Sequence, residues 1–368
     1  MKILLLAGEE SGQLYARKLA EIWRGHEIRG YGDYGFEISD LAVMGFAAVL
    51  RRIGYFMRVK RTIERAIDEW RPDLVCTIDY PGLNLALAAY ARRRGIRAVH
   101  VVCPQVWAWK SGRIPKIEAA VDTLCCFFPF EPALFKPGFA EFVGHPLAVE
   151  FAGPSAKARD AQLVALLPGS RSGEIARCLP VLLRALRQLP ATVRAVIPAA
   201  NERAHLQIVR ICARTEFRAL AGRIDVRRHG AREALMTARC AAVASGTATL
   251  EAALARCPTV LVYRVDPFLA WFARRVIKGV RHVGLVNVLW EKSGERGSQP
   301  MVELLQQEFT PERLAAELRR FLDRPDAVAN AVSALDAVVA QLDCGGDPLR
   351  RVAEIAAGVP AADRKGCE

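Results

Sequence analysis

The sequence contains no apolar run approaching the 18 or more residues that span a bilayer; its longest weakly polar stretch, Leu83 to Ala91, is interrupted by Asn84. Membrane contact is therefore expected to be peripheral. A leader pattern is also missing, because Ile3 to Ala7 is short and is followed at once by Glu9 and Glu10, so a cytoplasmic location is expected. No Cys-x-x-Cys pair has metal-ligand spacing. The ten cysteines sit mostly in apolar runs, as Cys76, Cys125, Cys126 and Cys240 do, which fits reduced, buried thiols better than a disulfide framework. Zinc-finger spacing, a ribonucleoprotein motif and a basic-region heptad are absent too, so the net charge of +13 is not read as nucleic-acid binding. With arginines clustered at Arg92 to Arg94, Arg274, Arg275, Arg319 and Arg320, that charge points to some other anionic partner.

What is present is a globular composition, 52% hydrophobic and 25% charged, over 368 residues, which is long enough for two cores. Lys2 to Ala7 is a continuous apolar run ending at Gly8 and followed by helix-like Leu14 to Trp23, the pattern of a buried parallel strand feeding a helix. The unit recurs: Asp73 to Ile78, Arg97 to Val102, Thr123 to Phe127 and Phe139 to Val143 read as strands, with a helix over Asn84 to Arg94. Residues 151 to 161 lose this periodicity and suit a linker. A second series follows, with strands over Gln162 to Leu167, Val193 to Ile197, Cys240 to Ala244 and Thr259 to Tyr263. Helices are expected over Arg177 to Gln188, Arg203 to Arg214, Pro311 to Leu322, Ala327 to Leu342 and Asp347 to Ala357. Alternating strands and helices predict an α/β fold of two Rossmann-like parallel-sheet domains facing a central cleft, with a helical C-terminal segment. Its domains are expected at 1–155, 156–342 and 343–368, the last packing back on the first.

Chemistry is concentrated in the strand-to-helix turns. Gly8-Glu9-Glu10-Ser11-Gly12 has its glycines four apart, not the dinucleotide spacing, and its amides can face an anion or a sugar, although a tight turn also explains it. Gly169-Ser170-Arg171, with Glu174, offers an arginine fork able to neutralise a diphosphate, although an ordinary surface loop also explains it. Ser245-Gly246-Thr247 opens a helix with Glu251 one turn on, a phosphate cradle with a carboxylate for a ribose diol; a serine cap is its simpler reading. Asp79 ends an apolar strand, where a general base would stand and where desolvation would raise its pKa, or it caps the next helix. Two tryptophans, Trp107 and Trp109, are expected exposed in one loop beside Lys110 and Arg113, where they could line a sugar or acyl site, although core packing explains one of them comfortably. His145 is read as a satisfied turn histidine and His100 as part of a strand. Residues 44–65 and 267–279 mix large apolar side chains with arginine and lysine, which suits an anionic membrane surface or a solvated helix over a core.

Taken in order, these turns resemble the motif set of the lipid-A-disaccharide synthase family: Gly8 to Gly12, Leu41 to Gly45, Ile78-Asp79 with Pro81 and Asn84, Pro104 to Trp109, Phe128 to Glu131, Val143 to Pro146, Leu166 to Arg171, Ser245 to Glu251, and Asn287 to Leu289. The resemblance runs from about residue 1 to about residue 320 and implies a glycosyltransferase B-type fold. It implies transfer from UDP-2,3-diacylglucosamine to 2,3-diacylglucosamine 1-phosphate (lipid X), inverting to a β-1,6 link and releasing UDP, at the inner face of the inner membrane of a Gram-negative-type bacterium. Under it, Asp79 is the base on the acceptor 6-hydroxyl, with Glu10 and Asn287 also catalytic. Arg171 takes the departing diphosphate, and Gly8, Ser11, Gly12, Gly169, Ser170, Glu174, Ser245, Gly246, Thr247 and Glu251 contact substrate or UDP. Met44, Trp107 and Trp109 meet the acceptor or its acyl chains, no metal or cofactor is implied, and a homodimer is admitted. Gln13 stands where the family usually has Asp, Val286 where a proline commonly precedes the asparagine, and the chain between Arg29 and Leu41 is shorter, departures that bear on acyl-chain preference. Single motifs also fit another UDP-sugar enzyme of this fold, such as a 2-epimerase or a lipid-linked GlcNAc transferase, or a non-catalytic glycolipid binder. The double-tryptophan loop speaks against the first, and loss of turnover without Asp79 separates off the last.

Overall fold

The computed structural model describes residues 1–37, 41, 53–109, 111–151, 158–265, 281–294 and 299–359. Two compact units divide the chain, Met1–Val149 with Leu342–Glu368, and Glu150–Gln341.

The first unit is built on a six-stranded sheet of β1 (Lys2–Ala7), β2 (Glu27–Arg29), β3 (Leu74–Ile78), β4 (Arg97–Val101), β5 (Thr123–Cys126) and β6 (Ala140–Phe142). Strand order is β2-β1-β3-β4-β5-β6, and every pairing is parallel. The inner strands are apolar on both faces because helices cover both. One layer packs α1 (Glu10–Ile22) through Tyr15 and Leu19; the other packs α2 (Ile53–Trp70) and α3 (Pro81–Arg92) through Val59, Ile63, Ile67 and Leu87. Helix α4 (Ile114–Ala120) covers β5, and α5 (Pro146–Phe151) carries the chain out of the unit.

The second unit repeats the plan with β7 (Asp160–Leu167), α6 (Ser172–Gln188), β8 (Arg194–Ala199), α7 (Glu202–Cys212), β9 (Ile224–Arg228), α8 (Ala231–Thr237), β10 (Ala238–Ala244), α9 (Thr247–Leu254), β11 (Thr259–Tyr263), α10 (Leu285–Lys292) and β12 (Val302–Leu305). Its sheet runs β12-β11-β10-β7-β8-β9, again wholly parallel. Helices α11 (Pro311–Asp323) and α12 (Pro325–Ala340) complete it, α11 lying against α6 and β10.

The last helix, α13 (Pro348–Ala356), belongs to the first unit. Asp347 caps it by accepting from the Leu349 and Arg350 amides, while Arg97 donates to the carbonyls of Ile355 and Ala356 at its other end. Leu349, Val352, Ala353 and Ile355 form its buried stripe and join the α1 side of the core.

Edge strands β2, β9 and β12 escape the sequence pattern. Each is covered on fewer sides than an inner strand, so Glu27-Ile28-Arg29 and Ile224 to Arg228 carry charge where inner strands carry Val and Leu. Residues 152–157 of the expected linker, the segment 267–279 and residues 44–52 of the other amphipathic stretch lie outside the described residues. Among the described residues the cysteines are free thiols.

Candidate active site

Each sheet has one point where strand order reverses, and loops on either side of such a point part to leave a crevice at the carboxyl ends of the strands. In the second unit that point separates β7 from β10. The loops leaving these two strands line a cavity of about 470 Å³, and with them stand Gly169, Ser170, Arg171, Glu174, Ser245, Gly246, Thr247 and Glu251. Eight separately expected residues thus meet in one place.

Gly169 has φ +106°, a conformation that excludes side chains, and a Cβ there would lie 2.6 Å from Glu174 Oε2. Glu174 is buried, and its Oε1 accepts from Arg171 Nη1 at 2.9 Å. Its carboxylate therefore props the loop and aims the guanidinium; it is poorly suited to receive an anion itself. Arg171 stays largely exposed, with the N–H groups not used by Glu174 open to an anion beside the N-terminus of α6. Gly246, at φ +146°, turns the chain into α9, and Thr249 Oγ1 donates to its carbonyl at 2.8 Å. The Glu251 carboxyl is pushed above its ordinary range by burial and, secondarily, by the charge of Glu150.

Sequence reasoning missed the opposite wall, made by Pro198 and Ala199 at the end of β8, by Ala200 after it, and by His229 and Gly230 after β9. His229 and Gly230 have consecutive positive φ values of +63° and +85°, and the His229 amide donates to Ala199 O. A His-Gly pair closing a strand was the available turn signal.

In the first unit the reversal separates β1 from β3, so the Gly8 loop and Asp79 flank it. The Tyr80 ring packs on Gly8, where a Cβ would fall 2.6 Å from Tyr80 Cγ. A Cβ at Gly12 would make only ordinary contacts, the nearest at 3.5 Å, while Gln13 Nε2 donates to Ala7 O and Ser11 is exposed. Asp79 and Tyr80 both occupy the left-handed region, with φ +49° and +52°. Each such non-glycine residue costs about 1–2 kcal/mol, which surrounding contacts must offset. Asp79 does not cap α3: the cap position is Tyr80, and Asp79 Oδ1 accepts from the Tyr80 amide of its own turn. Burial raises the Asp79 carboxyl above the ordinary aspartate range, against the lowering effect of that one hydrogen bond. Among the described residues no cation pairs with it.

Trp107 and Trp109 are not equivalent. Trp109 is 39% exposed, whereas Trp107 is half-buried, edge-on to Phe130, with Nε1 donating to Glu131. Expecting both to be exposed was half wrong, because the indole N–H finds its partner inside. Glu131 is buried, and its second oxygen accepts from the Phe128 amide. Desolvation pushes the Glu131 carboxyl up to about 8 despite these donors. Cys103, Cys126 and Glu131 are also the one group of metal-ligand type found among the described residues, but both carboxylate oxygens already bind the loop. His100 and His145 are buried and held neutral by desolvation, each at about 3, with Nδ1 bonded to Thr77 and to the Leu147 amide respectively.

Asn287 is fully buried, and its amide bonds Met301 O, Glu303 Oε1 and Met301 N. It fastens α10 to β12 and presents no free amide hydrogen to a substrate. Met44 and the Glu10 side chain lie outside the described residues.

Two parallel doubly wound sheets, the second with a cavity at its reversal point, are the layout of the GT-B fold. The chain superposes on the calicheamicin glycosyltransferase CalG4 with a TM-score of 0.59 over 98% of this chain and 99% of that one, at 16% identity. A lipid-A-disaccharide synthetase family model matches residues 3–343. Lipid-A-disaccharide synthases of Anaeromyxobacter dehalogenans and Syntrophus aciditrophicus are 38% and 34% identical to it, covering 97% and 88% of this chain and 97% and 89% of their own lengths. The chain belongs to the lipid-A-disaccharide synthase family, glycosyltransferases of lipid A biosynthesis.

Proposed function

We propose that the protein joins UDP-2,3-diacylglucosamine to 2,3-diacylglucosamine 1-phosphate in a single inverting displacement, forming a β-1,6 link and releasing UDP. What carries this reading is the second unit's cavity, where the N-terminus of α9, a prop-aligned arginine and a half-buried carboxylate share one space. A nucleoside diphosphate has the matching parts: the ribose diol meets Glu251, the phosphates meet Gly246 and Thr247, and Arg171 neutralises charge as the bond to the sugar breaks. Asp79 accepts the proton of the acceptor 6-hydroxyl as that oxygen attacks, its raised pKa making it a stronger base than an exposed aspartate. Gly8, Ser11 and Gly12 adjoin the same edge, and the exposed Trp109 meets the acylated acceptor.

No helix of the described residues is long and apolar enough to cross a membrane. Peripheral attachment to an anionic bilayer, at the inner face of a Gram-negative inner membrane, is supported by α2. It exposes Ile53 and Met57 together with Arg58, Arg61 and Arg65.

The test is turnover of purified protein with both lipids in detergent, following UDP and disaccharide 1-phosphate. Equal amounts of the two products are expected. Absence of UDP release, or UDP release that does not depend on the acceptor, contradicts the proposal. A single UDP per chain bound by calorimetry, abolished in Arg171→Ala, checks the cavity separately.

A further inference from the structure

Asn84 lies in the first turn of α3 and is wholly buried, yet its side chain serves groups outside that helix. Its Nδ2 donates toward three carbonyls: Asp79 O at 2.8 Å, Ile78 O at 3.1 Å and Leu6 O at 3.3 Å. Two of these belong to the turn that leaves β3, and the third to β1 across the strand reversal. Its Oδ1 accepts from the Tyr31 hydroxyl at 2.6 Å. Tyr31 is buried on the 3-10 turn Tyr31–Tyr34 after β2, and its phenol is held protonated by desolvation, so it remains a donor. The amide therefore has one tolerable orientation: flipped, its oxygen would face three carbonyls and its N–H₂ a hydroxyl donor.

The left-handed turn at Asp79 and Tyr80 explains what this arrangement achieves. With Asp79 at φ +49°, its carbonyl turns inward onto Asn84 while its carboxylate remains at the sheet edge. Without an inward donor, that partly buried carbonyl would lose its partner and the strained turn one of its restraints, beside the Asp79 amide on Val101 O and the Tyr80 hydroxyl on Leu41 O. We infer that Asn84, oriented by Tyr31, is the positioning residue that fixes Asp79 for proton transfer. This rests on Asp79 acting as the base. The titratable groups around this edge are Glu9 after β1, Tyr31, Tyr55 on α2 and Tyr80; none is a cation, so nothing among the described residues other than backbone geometry and burial holds the carboxylate there.

The experiment measures kcat, donor and acceptor KM, UDP affinity and the pH profile of kcat/KM for Asn84→Ala, Tyr31→Phe and Asp79→Asn. For Asn84→Ala, kcat is expected to fall about 10²-fold, the scale of an ångström-sized misplacement, with UDP affinity unchanged. For Tyr31→Phe, which removes one oxygen and keeps the ring, the expected fall is about 2- to 10-fold. In both, the acid limb of the profile should move to lower pH, because a loosened Asp79 meets water and returns toward ordinary aspartate behaviour. If Asn84→Ala does not fold, the Tyr31→Phe profile decides alone. Unchanged kcat and acid limb, or equal losses in kcat and UDP affinity, overturn the inference. If Asp79→Asn keeps wild-type turnover, the base assignment itself fails and takes this inference with it.

Discussion

Replacing Glu131 by glutamine should change how stability depends on pH, and the size of the change follows from its surroundings. The carboxyl is 2% exposed and sits at about 8, against an ordinary 4.5, because desolvation outweighs the hydrogen bonds from Trp107 and Phe128. A group whose pKa is raised on folding adds stability in its protonated form. That contribution is complete below about pH 4.5 and is lost as pH climbs toward about 8. Each pH unit in that interval is worth about 1.4 kcal/mol, so the whole is about 5 kcal/mol. Glutamine does not titrate. The stability difference between wild type and Glu131→Gln should therefore drift by about 5 kcal/mol between pH 4.5 and 8, moving in favour of the variant. Whatever fixed penalty arises because the amide N–H₂ meets one of two donors cancels from this drift. Urea titrations read by hydrogen exchange in peptides from β4 and β5 confine the measurement to the first unit. A drift near zero, or of opposite sign, would mean that the donors keep Glu131 ionised and that burial has been overvalued.

Three further outcomes follow. Gly169→Ala must push Glu174 aside and strain a backbone at φ +106°, so Arg171 loses its prop and UDP affinity should fall at least about tenfold by calorimetry. Arg171→Lys keeps the charge and loses the fork; kcat should drop about 10²-fold in the UDP-release assay while the melting temperature hardly moves. Val352→Ala opens a cavity where α13 meets the first sheet, destabilising that unit by about 2–3 kcal/mol in urea with UDP affinity unaltered.

The inner strands were legible because burial on both faces leaves continuous apolar runs, as in Ile3 to Ala7 and Leu74 to Ile78. The loops at their ends were legible because only Gly, Ser, Thr and a charged partner serve such turns. Edge strands such as Ile224–Arg228 were hidden by the same rule in reverse, since a strand open on one side tolerates Asp and Arg. Side-chain partners were hidden for another reason. Nothing in the sequence near Trp107 announces Glu131, 24 residues on, and nothing near Asn287 announces the Met301 backbone that absorbs its amide. His229 escaped notice because its contribution lies in backbone conformation and in the strand order that sets β9 next to β8. Asp79 was found by its place at a strand end, but not the left-handed turn that holds it.

The decisive comparison is single-turnover kinetics of Asp79→Asn beside wild type, with UDP affinity measured on the same preparations. Loss of the base should lower the transfer rate about 10²- to 10⁴-fold and leave UDP binding within about twofold. Transfer within a few-fold of wild type would show that the acceptor proton leaves by another route and that the edge of β3 is not where catalysis begins.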